Sequence, residues 1–250
     1  MLAVPNFSEG RDRATLAALA AALGSGLIHW SADVDHNRAV FTVQDEPGAL
    51  AERVLAAAAV AVDTIDLRTH EGVHPRVGAL DVAPIVYLTE DERGAAVAEA
   101  LILADRLQHD LGIPVYLYGA LGDGRTRAQL RKPGALENLH PTAGATLIAA
   151  RPPLAAFNVY IDAPLAEAKR IAAAIRSPAV KALGLELAHA GKVQVSTNIE
   201  DLTHTTPGDV VRHLQEHATV TGAELVAPAP RAAFESFPAD VPLIGAPLLD

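Results

Sequence analysis

Phe157-Asn158-Val159-Tyr160-Ile161 is a short run of strand-forming residues, and the succession of elements after it decides the architecture. A helical stretch runs from Pro164 to Arg176, strand-like runs cover Ala182–Ala188 and Val193–Ile199, a second helical stretch spans Pro207–His217, and a last short run sits at Glu224–Val226. The order is β-α-β-β-α-β, the split βαβ unit. Working outward, the first half opens in the same way. Leu2–Phe7 is a short apolar run whose Pro5 suits an edge strand, and Arg11–Leu23 has apolar residues at helical spacing, closed by Gly24. Leu27–Trp30 and Ala39–Val43 read as two strands joined by a polar loop, Asp33–Asn37. Pro47-Gly48 then opens an Ala-rich helix to about Asp66, with the proline in the first turn, where its missing N–H costs nothing. Thr206-Pro207-Gly208 repeats that signal after a strand pair, so the halves read as two related units.

Between them, Leu80–Leu88 reads as a buried strand, Thr89 with Glu92 as a capping box, and Gly112 as the end of the helix so launched. Val115–Tyr118 is a further strand. The stretch 119–142 is rich in Gly, Pro and Arg and reads as loop with one helical turn, a boundary lying just beyond it. Phe237–Asp250, apolar and Pro-rich, reads as a tail packed on the surface.

A chain of 250 residues fits one large domain or two small ones. Half of it is apolar but only 4% is aromatic, so Ala, Leu, Val and Ile must build the core. Thirty acidic against twenty basic residues give a net charge of −10, the wrong sign for binding duplex nucleic acid through counterion release. With no cysteine, disulfides, thiol nucleophiles, iron–sulfur clusters and thiolate zinc sites are excluded, and a reducing cytoplasm suits the chain. The longest plain apolar run, Val54–Val62, stops at Asp63, far short of the roughly 20 residues of a membrane span. Pro5 and Glu9 argue against a signal peptide. The expectation is a soluble cytoplasmic protein with no nucleic-acid or membrane partner.

His70-Glu71-Gly72-Val73-His74 matches the H-E-x-x-H pattern, in which a helix sets two imidazoles on zinc with Glu as base. Gly72 and Pro75 oppose a helix here, and Leu80 stands where a further His would be needed. No metal is expected, and a zinc hydrolase through His70 and His74 is the lesser alternative. There remains a turn with His70, Glu71, His74 and Arg76 feeding a buried strand, the kind of place that carries sites. An imidazole there can carry protons near neutrality, with Arg76 favouring its neutral form; solvated loop residues would look the same. Asp33, Asp35, His36, Asn37 and Arg38 form a second polar cluster, whose acids could serve only the turn or bind magnesium, though no phosphate loop accompanies them. Gly119–Gly124 has the wrong spacing for a nucleotide loop. Arg125, Arg127, Arg131 and Lys132 are the densest basic stretch, suited to carboxylates or simply solvated. His213 and His217 lie one turn apart on a predicted helix and read as a solvent-facing pair. No Gly-x-Ser-x-Gly elbow occurs.

Val4-Pro5-Asn6-Phe7-Ser8-Glu9-Gly10 resembles the opening of the glutamate formimidoyltransferases, the formiminotransferase half of formiminotransferase-cyclodeaminase. Asp35–Arg38, His74–Val82, Val115–Gly119, His140–Thr146, Ala156–Asn158 and Gln194–Asn198 are similar to later family segments in the same order. The resemblance covers nearly the whole chain. It implies an α+β fold of two ferredoxin-like subdomains, 1–148 and 149–250, facing each other across a groove. It also implies transfer of the formimidoyl group from N-formimidoyl-L-glutamate to N5 of tetrahydrofolate, in histidine degradation and one-carbon metabolism. The family's catalytic His falls on His74, while Asn6, His36, Asn37, Arg76, His140, Pro141, Thr142 and Gly144 fall in segments expected to bind substrate or folate. Arg125, Arg127, Arg131 and Lys132 would then guide the anionic folate tail. Tetrahydrofolate is expected as co-substrate, without metal. A homodimer and a separate cyclodeaminase to handle the product are the other expectations. The chain departs from the family at Lys132–Asn138, where a Pro-Asp-Phe-Gly-Pro run is usual, and at Ala150, where Gly is usual. A paralogue using another one-carbon donor, or a non-catalytic folate or anion binder, is the alternative.

Overall fold

In the computed structural model, which describes residues 1–250, the N-terminal run enters a sheet as two short strands, β1 (Leu2–Ala3) and β2 (Asn6–Phe7). Helix α1 (Arg13–Leu23), strands β3 (Leu27–Asp33) and β4 (Arg38–Gln44), helix α2 (Leu50–Thr64) and strand β5 (Leu80–Val86) come next. Both β1 and β2 pair with β4 on one side and β5 on the other, so the run lies inside the sheet and not at its edge. The proline is tolerated because the strand breaks beside it: the Pro5 carbonyl still accepts from Phe41 N–H at 3.0 Å, and Val4 N–H donates to the Pro84 carbonyl at 3.0 Å.

The sheet is then extended past β5. Helix α3 (Arg93–Leu111), strand β6 (Val115–Leu117), the short helix α4 (Arg127–Leu130) and strand β7 (Thr146–Arg151) place β7 parallel beside β5 and β6 parallel beside β7. One face of the sheet packs α1, α2 and α3 around Phe7, Phe41, Leu19, Leu50 and Leu103, with Ala57, Ala58, Ala61, Ala96 and Ala100 letting the helices approach closely. The small cluster of Val82, Tyr118, Leu130, Leu147 and Ala149 packs separately.

Two expected helix starts are corrected. Helix α2 begins at Leu50, and Gly48, with φ +96°, belongs to a turn ahead of it. Its free N–H groups are satisfied from another helix: the buried Glu99 carboxylate of α3 accepts from Ala51 N–H at 2.8 Å and from Gly48 N–H. The Thr89 side chain makes no cap; Glu92 instead accepts from Leu88 N–H at 2.7 Å. Gly112, with φ +64°, does close α3.

Residues 153–250 form a second unit with its own core, residues 1–152 being the first. Strand β8 (Ala155–Asp162), helix α5 (Leu165–Ile175), strands β9 (Val180–Leu187) and β10 (Lys192–Ile199), helix α6 (Pro207–Gln215) and strand β11 (Thr219–Leu225) give the sheet order β9-β10-β8-β11, antiparallel throughout. The first unit has the same order in β3, β4, β1 with β2, and β5. Thr206 and Asp209 cap α6 reciprocally, with Pro207 in its first turn. The C-terminal stretch is more than a surface tail. After β12 (Ala229–Pro230), β13 (Leu243–Gly245) adds an edge strand parallel to β11, and β14 (Leu248–Leu249) pairs with β12. Each unit is thus mixed α/β, and no helix is long and apolar enough to cross a membrane.

Candidate active site

The turn from His70 to Gly78 is not helical, so the H-E-x-x-H pattern does not place two imidazoles on one helical face. The turn is pinned on three sides. Ala79 N–H donates to the Ala143 carbonyl and Ala145 N–H to the Val77 carbonyl, both at 2.9 Å, bringing Gly78 against Gly144. Ser8 Oγ donates to the Gly78 carbonyl at 2.7 Å. The His140 Nδ1 accepts from Ala143 N–H at 3.1 Å, and the Thr142 carbonyl accepts from Leu67 N–H at 2.8 Å, which hold the facing turn; Pro141 is exposed on it. A Cβ on Gly78 would lie 1.9 Å from the Ala145 carbonyl oxygen, and one on Gly144, whose φ is +70°, 2.1 Å from that of Val77. Gly78→Ala is therefore expected to lower stability by about 1–3 kcal/mol, because backbone and not a flexible side chain has to move. A denaturant midpoint equal to wild type would show that the two turns can part without cost.

Polar side chains tie this turn to the loop between β3 and β4. Arg76 Nη2 donates to the carbonyls of His74 at 2.8 Å and His36 at 3.1 Å, and its guanidinium also meets the His70 ring. Asn37, at φ +45°, accepts from Gly10 N–H and donates to the Glu71 carbonyl, both at 2.9 Å. The His36 and His74 rings have centroids 5.8 Å apart.

Beneath lies a carboxylate. Asp81, fully buried in β5, accepts from Arg38 Nη1 at 2.6 Å, from Arg131 Nη2 at 2.5 Å and from Val77 N–H at 2.7 Å. Arg38 Nη2 goes on to Asn6 Oδ1 at 2.9 Å. Burial alone would raise the Asp81 carboxyl, but the two guanidiniums and the Val77 N–H overcome this and hold it far below the usual range. Burial and the neighbouring Arg131 bring Arg38 down to about 10 against the pull of Asp81, so it stays cationic at neutral pH. Two cations face one anion, leaving an excess positive charge beside His74.

His74 keeps part of its surface open, yet its ring is packed among these groups. Burial first, then Arg38 and Arg131, hold its pKa well below the ordinary imidazole value, so the ring is neutral at pH 7. Its Nδ1 lies 2.7 Å from the Pro75 carbonyl. A carbonyl can only accept, so Nδ1 carries the proton and Nε2 presents the free lone pair. A cleft of about 590 Å3 opens along the same turn, lined by its neighbours His70, Gly72 and Arg76 and by Arg131, Lys132 and Leu136, with His74 itself outside the lining.

Residues 1–134 match the formiminotransferase domain, N-terminal subdomain. The glutamate formimidoyltransferase of Streptococcus pyogenes serotype M1 is 34% identical over 230 residues, covering 78% of this chain and 76% of the relative. The chain belongs to the formiminotransferase family. The glutamate formimidoyltransferase of Thermoplasma acidophilum is 33% identical over 233 residues, covering 81% of this chain and 77% of the relative. The formimidoyltransferase-cyclodeaminase of Gallus gallus is 35% identical over 239 residues, 82% of this chain but only 44% of that longer protein.

Within this formiminotransferase fold, His36, Asn37, His74 and Arg76 come together on two adjoining loops, Asn6 joins them through Arg38, and the His140–Gly144 turn supports them from the other side of Gly78. Two readings change. Arg76 holds backbone carbonyls, and the cations that keep His74 neutral are Arg38 and Arg131. The basic stretch also divides: Arg131 turns inward to Asp81, Arg127 lies over the Tyr118 ring at 5.7 Å, Arg125 is exposed and donates to the Gly122 carbonyl at 3.3 Å, and Lys132 lines the cleft. The departing segment Lys132–Asn138 walls the cleft and is anchored by Tyr116, whose hydroxyl donates to the Glu137 carbonyl at 2.6 Å. Sequence reasoning does not single out Asp81, the carboxylate on which the two arginines converge. Its signal was available, since a charge inside an apolar strand read as buried has to be paired.

Proposed function

We propose that this formiminotransferase-family chain transfers the formimidoyl group of N-formimidoyl-L-glutamate to N5 of tetrahydrofolate, a step of histidine degradation and one-carbon metabolism. The observation that carries the mechanism is the neutral His74 ring, with Nε2 free, beside a cluster of excess positive charge. N5 attacks the amidine carbon and a tetrahedral centre forms. His74 Nε2 takes the proton that N5 loses, the C–N bond to glutamate breaks, and the same proton passes to the departing amine, so the base is restored. The positive cluster suits substrates that both carry carboxylates.

Asn6, His36, Asn37 and Arg76 would shape the pocket on one side of His74, and His140, Pro141, Thr142 and Gly144 on the other. Tetrahydrofolate acts as co-substrate. We read both units as ferredoxin-like, the protein as cytoplasmic, and the product as passing to a separate cyclodeaminase. The deciding experiment measures, in separate single turnovers, 5-formimidoyltetrahydrofolate formed from N-formimidoylglutamate and 5-formyltetrahydrofolate formed from N-formylglutamate. Turnover confined to the first donor is expected. Turnover with the second alone would make the chain a paralogue, and folate binding without either would make it a binding protein.

Of the basic stretch, Arg125, Arg127 and Lys132 would guide a polyanionic tail. Neutralising all three should weaken polyglutamylated tetrahydrofolate more than the monoglutamate, with the difference shrinking at high salt as exposed charges are screened. Equal losses for the two ligands would remove this role.

A further inference from the structure

The end of α6 carries two imidazoles and a carboxylate that formimidoyl transfer does not use. His213, Glu216 and His217 stand at helical spacing i, i+3 and i+4, and one ligand atom from each lies within 4.8 Å of the others. The two rings have centroids 5.1 Å apart, and His213 Nδ1 is 3.9 Å from Glu216 Oε2. His213 Nε2 is buried without a hydrogen-bond partner, which is an unusual state for a ring nitrogen. We infer that His213, Glu216 and His217 form a binding site for one divalent first-row transition ion, zinc in the first instance.

Geometry and donor chemistry agree on this. A tetrahedral ion with bonds of about 2.1 Å holds its donors about 3.4 Å apart, so the present spread closes by side-chain rotation. Two imidazoles and a carboxylate suit zinc and its neighbours, whereas calcium and magnesium require oxygen donors throughout. The surrounding charge is also favourable. Glu216 and His217 sit where α6 ends, with their N–H groups donating to the Arg212 and Leu214 carbonyls, and the negative end of a helix attracts a cation. Arg212, the nearest cation in sequence, is drawn away to Asp209 at 2.7 Å and to the Ser236 carbonyl at 2.9 Å. Glu167 of α5 is held chiefly by Arg170 but also feels the charge of His217, so a second carboxylate stands near the site. The sequence reading of a solvent-facing histidine pair thus changes: Glu216 stands between the two histidines in the same turn, and Glu167 comes from the neighbouring helix. Such an ion would staple the end of α6 and raise the stability of the second unit by mass action.

The test uses the full chain, free of any affinity tag and stripped with chelator, titrated calorimetrically with zinc chloride. One equivalent should bind and raise Tm, and cobalt should give the visible absorption of a tetrahedral site. His213→Gln/His217→Gln should abolish that equivalent, and Glu216→Gln should weaken it by at least about tenfold. None of the three side chains belongs to the hydrophobic core of the second unit, so the metal-free variants should melt like the metal-free wild type and retain formimidoyl transfer. Absence of zinc binding would overturn the inference, as would an undiminished equivalent in the double variant, which would put the ion elsewhere, for example at His70 and His74. Loss of transfer activity with zinc binding intact would count against the function proposed above and not against this site.

Discussion

His74→Ala should cut the single-turnover rate by roughly 10²–10⁴-fold while leaving tetrahydrofolate affinity nearly unchanged. With Nδ1 held on the Pro75 carbonyl, the ring offers its Nε2 lone pair as the base, and ground-state binding rests on other groups. The pH dependence is the more specific readout. A surface histidine would give a rate that rises with pH through about 6.5. Burial with Arg38 and Arg131 lowers the His74 pKa well below that, so the wild-type rate should be flat from pH 6.5 upward and fall only in more acid solution. Arg131→Met removes one of the two cations and should move the falling limb toward neutral pH. A mutant that keeps more than about a tenth of the wild-type rate, or an Arg131 variant with an unmoved limb, would deny His74 this role.

Asp81→Asn should destabilise the protein by about 3–5 kcal/mol, because it leaves Arg38 and Arg131 as buried cations facing each other with no anion between them. Chemical denaturation of both proteins measures it. Replacing all three charges together by apolar residues of similar volume should recover much of the loss, which a defect in packing alone would not do. The sign of the pH effect comes from the depressed carboxyl. Asp81 contributes its stability above the unfolded value of about 3.9, and the contribution is lost as pH falls through the native value. His74 adds a second loss that begins nearer pH 6.5, since the unfolded chain takes up its proton first. The Asp81 variant should keep the second slope and lack the first.

The features legible in the sequence divide from the rest along the range of the forces involved. Strand and helix identities came from local periodicity, and Thr206-Pro207 marked the start of α6 because its cap is made by Asp209, three residues on. Pro47-Gly48 misplaced the start of α2 because the group that satisfies that terminus, Glu99, lies on another helix. Leu2–Phe7 reads as an edge strand because proline usually demands one, and only the partners on both sides reveal the break at Val4-Pro5. At the site, the His74 turn was visible in its residue types and in a resemblance. The arginines that tune it were not, since Arg38 and Arg131 reach His74 from distant segments and meet only over Asp81.

Residues 2–7 also constrain how the first unit is made. They complete the middle of the sheet by pairing with β4 and β5, with Leu2 opposite Val86. A ribosome releases residues 2–7 and β4 before β5, so once residues 2–7 have paired with β4 their other row of N–H and C=O groups waits unpaired until β5 has emerged. During that wait the row is a template for any passing strand, including the same strand of another nascent chain. The rate at which β5 is delivered, rather than the stability of the finished sheet, then sets how much of the chain escapes aggregation during rapid synthesis.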